Sequence, residues 1–198
     1  MQYCFMDIIF ATNNQHKLQE ARAIMGEKFN LITPRMLGLT EEIPEDAPTL
    51  EGNALLKADY IWKKTFLPCF ADDTGLEVTS LNGAPGVFSA RYAGPEHNSK
   101  NNTEKLLREL DGTDNRSARF RTAVALIIKG ETYMFEGILN GRIALSPSGQ
   151  GGFGYDPVFI PEGYDCTLAE LSPFEKNKIS HRGLSLGKLS EFLNRRIL

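Results

Sequence analysis

Apolar positions along the chain fall into short blocks separated by polar turns. Residues 3–11 are almost continuously apolar and rich in Phe and Ile, which suits a strand buried on both faces. A polar turn runs from Thr12 to Lys17. Leu18, Ala21, Ile24 and Met25 then recur at helical spacing, with Gly26 as the stop. Phe29–Thr33 reads as a second strand closed by Pro34. Strand, polar turn, helix and strand are the opening of an α/β fold. Further on, Pro44 and Pro48 keep an acidic stretch extended, and Thr49 caps a helix with Leu50, Ala54, Ala58 and Ile61 on its apolar side.

The second half continues the alternation. Pro68–Ala71 reads as a short strand that ends at Asp72, Asp73, Thr74 and Gly75, and Leu76–Leu81 resumes as a strand. Residues 82–98 are rich in Gly, Pro and Asn and form a loop. Asn98 or Ser99 caps a helix through Leu110 that buries Leu106, Leu107 and Leu110. Ala118, Phe120, Thr122, Val124, Leu126 and Ile128 alternate along a long strand. Lys129 and Gly130 turn it back into Glu131–Leu139, an antiparallel hairpin that makes the sheet mixed. A glycine-rich loop at 146–156 leads to a short strand over Pro157–Ile160. Thr167 and Glu170 have capping-box spacing for a short helix. Leu186, Leu189, Leu193 and Ile197 predict a C-terminal amphipathic helix.

Composition narrows the class. With 198 residues, 41% of them hydrophobic, the chain is neither disordered nor too short for a real core. One domain over residues 1–198 is expected, with room for two small lobes. Twenty-two Lys and Arg against 25 Asp and Glu give −3, which excludes a protein that coats nucleic acid through a basic stripe. Cys4, Cys69 and Cys166 are scattered without zinc or disulfide spacing and read as core residues of a reducing compartment. The first apolar run lacks a basic start and is interrupted by Asp7, so it reads as a strand and not as a signal peptide. No run approaches the ~18 apolar residues of a membrane span. The sequons at Asn101 and Asn115 carry no weight without secretion. A cytoplasmic protein is expected.

Several polar clusters can carry chemistry. The turn Thr12, Asn13, Asn14, Gln15, His16, Lys17 lies between a buried strand and a helix, where backbone N–H groups attract anions. Asn tolerates the left-handed backbone of a tight turn. The Walker pattern is absent, and an ordinary capped turn is the plain alternative. Asp72 and Asp73 are adjacent carboxylates after a buried strand, where open α/β sheets bind ligands. Neighbours on a strand point to opposite faces, so one Asp can serve a ligand and the other the scaffold. Such carboxylates suit a hard divalent cation, or an Asx-turn. The acidic run at 41–51 offers further oxygen ligands, or only a solvated loop.

Residues 149–154 match a dinucleotide pattern, but no helix follows, so that assignment is rejected. The glycines still allow close approach to a flat ligand. Phe153 and Tyr155 can stack on a base and Asp156 can accept its N–H, unless the two aromatics are simply tucked into the core. Lys176, with Ser180, His181 and Arg182, suits phosphate or carbonyl oxygens; His181 alone reads equally as structural. Together these clusters describe a site for a nucleoside polyphosphate.

On these residues the chain resembles the Ham1/RdgB-type inosine triphosphate pyrophosphatases. The likeness is carried by six ordered blocks at residues 10–17, 51–58, 71–76, 83–92, 151–157 and 175–183. It implies an α/β fold with a long central mixed β-sheet flanked by helices, and two lobes around an active-site cleft. It implies hydrolysis of ITP, dITP and XTP to monophosphate and pyrophosphate with Mg²⁺, by a homodimer. It places the triphosphate on Thr12–Lys17 and Lys57, the metal ligand and general base on Asp73, and Asp72 beside it. Thr74 then touches substrate. A second acidic ligand maps onto Glu45, with Glu42 or Asp46 as alternatives. Gly154 joins Phe153, Tyr155 and Asp156 in reading the base, with Lys176, His181 and Arg182. Many relatives carry Gly where this chain has Asn13. The rivals are a Maf-type pyrophosphatase and a nucleotide-binding module without catalysis.

Overall fold

The apolar opening run forms β1 (Met6–Phe10) in the computed structural model, which describes residues 6–41, 43 and 45–197. Residues 1–5 with Cys4, and also Glu42, Pro44 and Leu198, lie outside the described residues. Helix α1 (Gln15–Met25) follows, stopped at Gly26 with a φ of 75°. Strand β2 (Phe29–Ile32) pairs parallel to β1, and α2 (Leu50–Thr65) starts at Thr49, whose hydroxyl accepts the Gly52 N–H at 3.0 Å. Strand β3 (Cys69–Val78) is parallel to β1, and the two-residue β4 (Pro85–Gly86) is antiparallel to β3. Asn98 caps α3 (Ser99–Glu109). Strands β5 (Ser117–Ile128) and β6 (Glu131–Ile143) are joined by Lys129 and Gly130, both at positive φ, and β7 (Phe159–Pro161) is antiparallel to β6. Helices α4 (Pro173–Ile179) and α5 (His181–Ile197) close the chain. Among the described residues the seven strands form one mixed sheet in the order β2-β1-β3-β5-β6-β7, with β4 on β3.

The chain divides into two compact units. The first takes the chain through Asp73, with Thr122–Gly137 and everything from Arg182. Its core joins Leu18, Ala21 and Met25 of α1 to Ile8, Phe10, Phe70, Val124 and Leu126 of the strands and Leu186, Leu189 and Leu193 of α5. Leu50, Ala54, Ala58 and Ile61 of α2 are also buried, as the spacing predicts. Cys69 donates its Sγ–H to the Ala58 carbonyl, and burial pushes its thiol up to about 12, so it is an inert core residue. The second unit comprises Thr74–Arg121 and Ile138–His181. Its core gathers Leu76 and Val78, Leu106 and Leu110, Phe120, Ile143, Tyr155, Val158, Phe159 and Leu168.

Five element expectations are corrected. The strand expected over Leu76–Leu81 ends at Val78 and gives way to a 3₁₀ turn (Thr79–Leu81). β3 does not stop at Asp72; it runs through Asp72, Asp73, Thr74 and Gly75 as one strand. β6 continues past Leu139 to Ile143, where it finds β7 as a partner. Pro157 sits in a 3₁₀ turn (Asp156–Val158), and the strand begins only at Phe159. Thr167–Glu170 is a turn: Glu170 accepts the Thr167 N–H, but the Thr167 hydroxyl bonds the Ser148 carbonyl and caps no helix. The capping box lies at Ser172 and Glu175 and starts α4.

Candidate active site

The polar turn after β1 is held by its own side chains. Thr12 Oγ1 accepts the Asn14 N–H at 3.1 Å. Asn14 Oδ1 accepts the N–H groups of His16 and Lys17 at 2.9 and 3.2 Å and so caps α1. Those three amides are therefore already satisfied, which narrows the anion-binding role expected of the turn to its side chains and remaining N–H groups. Asn13 is exposed and does not enter the left-handed region, so the turn does not require a glycine there. Gln15 and His16 open α1 on its exposed side, and Lys17 turns inward.

In the first unit the alternation of β3 sends its two carboxylates to opposite sides. Asp72 meets groups from α1 and α5. Its Oδ1 accepts from Lys17 Nζ and its Oδ2 from Arg182 Nε, each at 3.0 Å. Arg182 is 2% exposed, and its second arm donates to Glu20 Oε2 at 2.7 Å. Burial would raise the Asp72 carboxyl, but Lys17 and Arg182 hold it well below the usual carboxylate range. Burial also lowers the Lys17 ammonium, against the pull of Asp72.

Asp73 meets α2. Asn53 Nδ2 donates to Asp73 Oδ2 at 3.0 Å, and Lys57 Nζ lies 3.7 Å from Oδ1. Lys57 also donates to Glu45 Oε1 at 2.5 Å. Burial pushes the Asp73 carboxyl above its ordinary value even with Lys57 and Lys17 close by. Burial alone would lower the Lys57 ammonium, yet Asp73 and Glu45 raise it. Burial likewise works against the Glu45 carboxylate, and Lys57 overcomes it to lower the pKa. Two adjacent carboxyls are thus driven in opposite directions, which separates an ionised scaffold from a group better suited to take a proton. Among the described residues no group of three or more His, Cys, Asp or Glu is placed to hold a metal. Glu45 and Asp73 are the carboxylates brought together, through Lys57.

In the second unit the glycine loop is fastened to α4. Asp156, 3% exposed, accepts the Phe153 N–H at 2.7 Å and Lys176 Nζ at 2.6 Å. The Lys176 ammonium lies 5.0 Å from the Phe153 ring centroid. Gly152 has a φ of +67°, and a Cβ there would collide with the Asp156 carboxylate. Gly154 also has positive φ. Tyr155 belongs to the core and donates its hydroxyl to the Ser89 carbonyl at 2.9 Å, which is the buried alternative left open for this ring. His181 is buried and stacks on Phe120 at 4.4 Å. Thr74 follows Asp73 in β3 and is half-buried.

The first unit therefore gathers Lys17, Glu45, Lys57, Asp72, Asp73 and Arg182, and the second gathers Phe153, Asp156 and Lys176. Sequence reasoning missed Glu20 and Asn53. Glu20 lies one helical turn after Lys17, a spacing that shares a face. Asn53 stands four residues before Lys57, the same signal.

A profile of the Ham1 family matches residues 8–192. The dITP/XTP pyrophosphatase of Porphyromonas gingivalis is 52% identical over 187 residues, covering 94% of this chain and 96% of that protein. The dITP/XTP pyrophosphatase of Flavobacterium psychrophilum is 49% identical over 94% of this chain and 98% of its own length. The solved structure of the Staphylococcus aureus Ham1 protein superposes with a TM-score of 0.88 at 38% identity, covering 96% of this chain and 99% of that one. With the profile running through both units and about half of all positions shared over nearly full length, the chain belongs to the Ham1 family.

Proposed function

We propose that the protein hydrolyses noncanonical purine nucleoside triphosphates (ITP, dITP and XTP) to the monophosphate and pyrophosphate, as a single functional domain. Family membership and the pyrophosphatase names of its relatives support the reaction class. The observation that carries the chemistry is the split of Asp72 and Asp73, one locked between Lys17 and Arg182 and the other turned to α2 beside Asn53 and Lys57.

Mg²⁺ is the cofactor this assignment implies, and the residues fit it. Mg²⁺ is commonly held by one or two carboxylates together with substrate phosphates, and Glu45 with Asp73 are two hard oxygen donors gathered by Lys57. Asp46 is an exposed alternative in the same acidic run, and Asp72 fits less well because both its oxygens are taken by cations. When bound, the ion supplies charge neutralisation for the phosphate chain. Asp73 orients the attacking water and takes its proton. Lys17, Lys57 and the turn Thr12–His16 hold the phosphates, with Thr74 at the next position of β3.

Phe153 stacks on the purine, and Asp156 with Lys176 and Gly154 fixes its edge. The resemblance places His181 and Arg182 with the residues that read the base. Arg182 instead spends its guanidinium on Asp72 and Glu20, so its part is to hold the phosphate side in place. A site built for a 6-oxo oxygen rejects an amino group strongly.

The test is a panel of ITP, dITP, XTP, ATP and GTP assayed for pyrophosphate with and without Mg²⁺. Pyrophosphate from the oxo-purines alone, dependent on the metal, is expected; release of single phosphates, or equal rates with ATP, overturns the assignment. We propose further that the enzyme works as a homodimer in the cytoplasm. No helix among the described residues is long and apolar enough to cross a membrane. Sedimentation equilibrium at twice the chain mass is expected, and a monomer at micromolar concentration refutes the dimer.

A further inference from the structure

We propose that Asn53 is a positioning residue, whose single amide fixes both the Asp73 carboxylate and the backbone that carries Glu45. The proposal rests on reading Asp73 as the base and Glu45 as its companion ligand. Asn53 is 1% exposed, so both ends of its amide need partners. Its Oδ1 accepts the Ala47 N–H at 2.9 Å, and its Nδ2 donates to Asp73 Oδ2 at 3.0 Å. The orientation is not arbitrary: a backbone N–H can only face the oxygen, which leaves the nitrogen for the carboxylate.

Ala47 lies two residues from Glu45. One turn further along the same face of α2, Lys57 makes the parallel connection, with Glu45 Oε1 at 2.5 Å and Asp73 Oδ1 at 3.7 Å. Helix α2 therefore ties the acidic loop to β3 twice, once through a neutral amide and once through a charge. A substrate phosphate can draw the Lys57 ammonium away, whereas the Asn53 amide is buried and bonded at both ends within the protein. Asn53 is the connection that survives substrate binding. Gly52 serves the same closure: a Cβ there would stand 2.7 Å from the Ala47 Cβ and push the loop off the helix.

The amide does no chemistry itself. It stops the Asp73 carboxylate from rotating away from the attacking water, an orientation that matters in the transition state more than in binding. Its loss should lower kcat and leave KM nearly unchanged.

The experiment compares Asn53→Asp, Asn53→Ala, Gly52→Ala and Asp73→Asn in the full chain. kcat and KM are measured with dITP, and Ala47 amide exchange is followed by NMR. Asn53→Asp keeps the acceptor for Ala47 but replaces the amide donor with a second carboxyl, which repels Asp73 or shares a proton with it. It should lose roughly 10- to 100-fold in kcat with KM within about threefold, the cost of a hydrogen bond to a charged group, while Ala47 stays protected. Asn53→Ala should lose as much and also speed Ala47 exchange by at least about tenfold. Gly52→Ala should speed Ala47 exchange with a smaller loss in kcat. If Asp73→Asn is inactive but both Asn53 variants keep kcat within about twofold, or lose only KM, Asn53 is structural and the proposal is overturned. If Asp73→Asn itself keeps near-normal kcat, the base assignment fails first, and the role of Asn53 falls with it. Should Asn53→Asp not fold, the Asn53→Ala kcat and Ala47 exchange decide alone.

Discussion

Asp72 shows how a buried charge can be scaffold rather than reagent. A carboxylate this deep is tolerable only if each oxygen is paired, and Lys17 and Arg182 take one oxygen each while Glu20 balances the far arm of Arg182. The chain of four groups holds the Lys17 ammonium toward the start of α1. Asp72→Asn keeps the shape but leaves two cations against a neutral amide. It should lower the unfolding free energy by about 3–5 kcal/mol, read from urea denaturation. A loss below about 1 kcal/mol would show that the pairing is not what stabilises this part of the fold. Residue types and alternation were enough to suggest that one Asp serves the scaffold. They did not say which one, nor that Arg182 would be its partner, because that pairing joins positions 110 residues apart. Burial of Tyr155 was equally open, since an aromatic beside glycines suits either a base or a core.

At the scale of elements, the apolar spacing located α1, α2, α3, the β5–β6 hairpin and α5, because each buries a face with a clear period. It ended β3 too early. Two aspartates have poor strand propensity, but cations and an amide on either side supply the partners that propensity ignores, and the strand continues. The Thr167 box failed for a related reason: its hydroxyl is drawn to the Ser148 carbonyl. The loop at 149–154 was legible only as permissive backbone. Its structure makes Gly152 a specific requirement, since Asp156 must reach the Phe153 N–H and Lys176 past a position without a side chain. Gly152→Ala adds a strained positive φ and a collision with that carboxylate. It should lower kcat/KM for dITP by roughly tenfold or more while the circular dichroism spectrum is unchanged. Near-normal kcat/KM would separate Asp156 from substrate recognition.

For the whole molecule, a formal charge of −3 describes the net balance but says nothing about a local site. The first unit concentrates Lys17, Lys57 and Arg182 together with Asp72, Asp73, Glu45 and Glu20. Three cations face four carboxylates, and every cation already has a carboxylate partner. A triphosphate adding several further negative charges therefore meets a cluster that is not positive, and the repulsion between charges a few ångströms apart is worth on the order of kcal/mol even near a surface. A divalent ion reverses that balance. Binding of a nonhydrolysable dITP analogue, followed by calorimetry, should weaken by about tenfold or more when Mg²⁺ is replaced by a chelator. Glu45→Gln should reduce the metal's effect on affinity without abolishing binding in its absence. If the analogue binds equally well with and without the ion, the lysines alone hold the phosphates, and Glu45 with Asp73 must be explained without a metal.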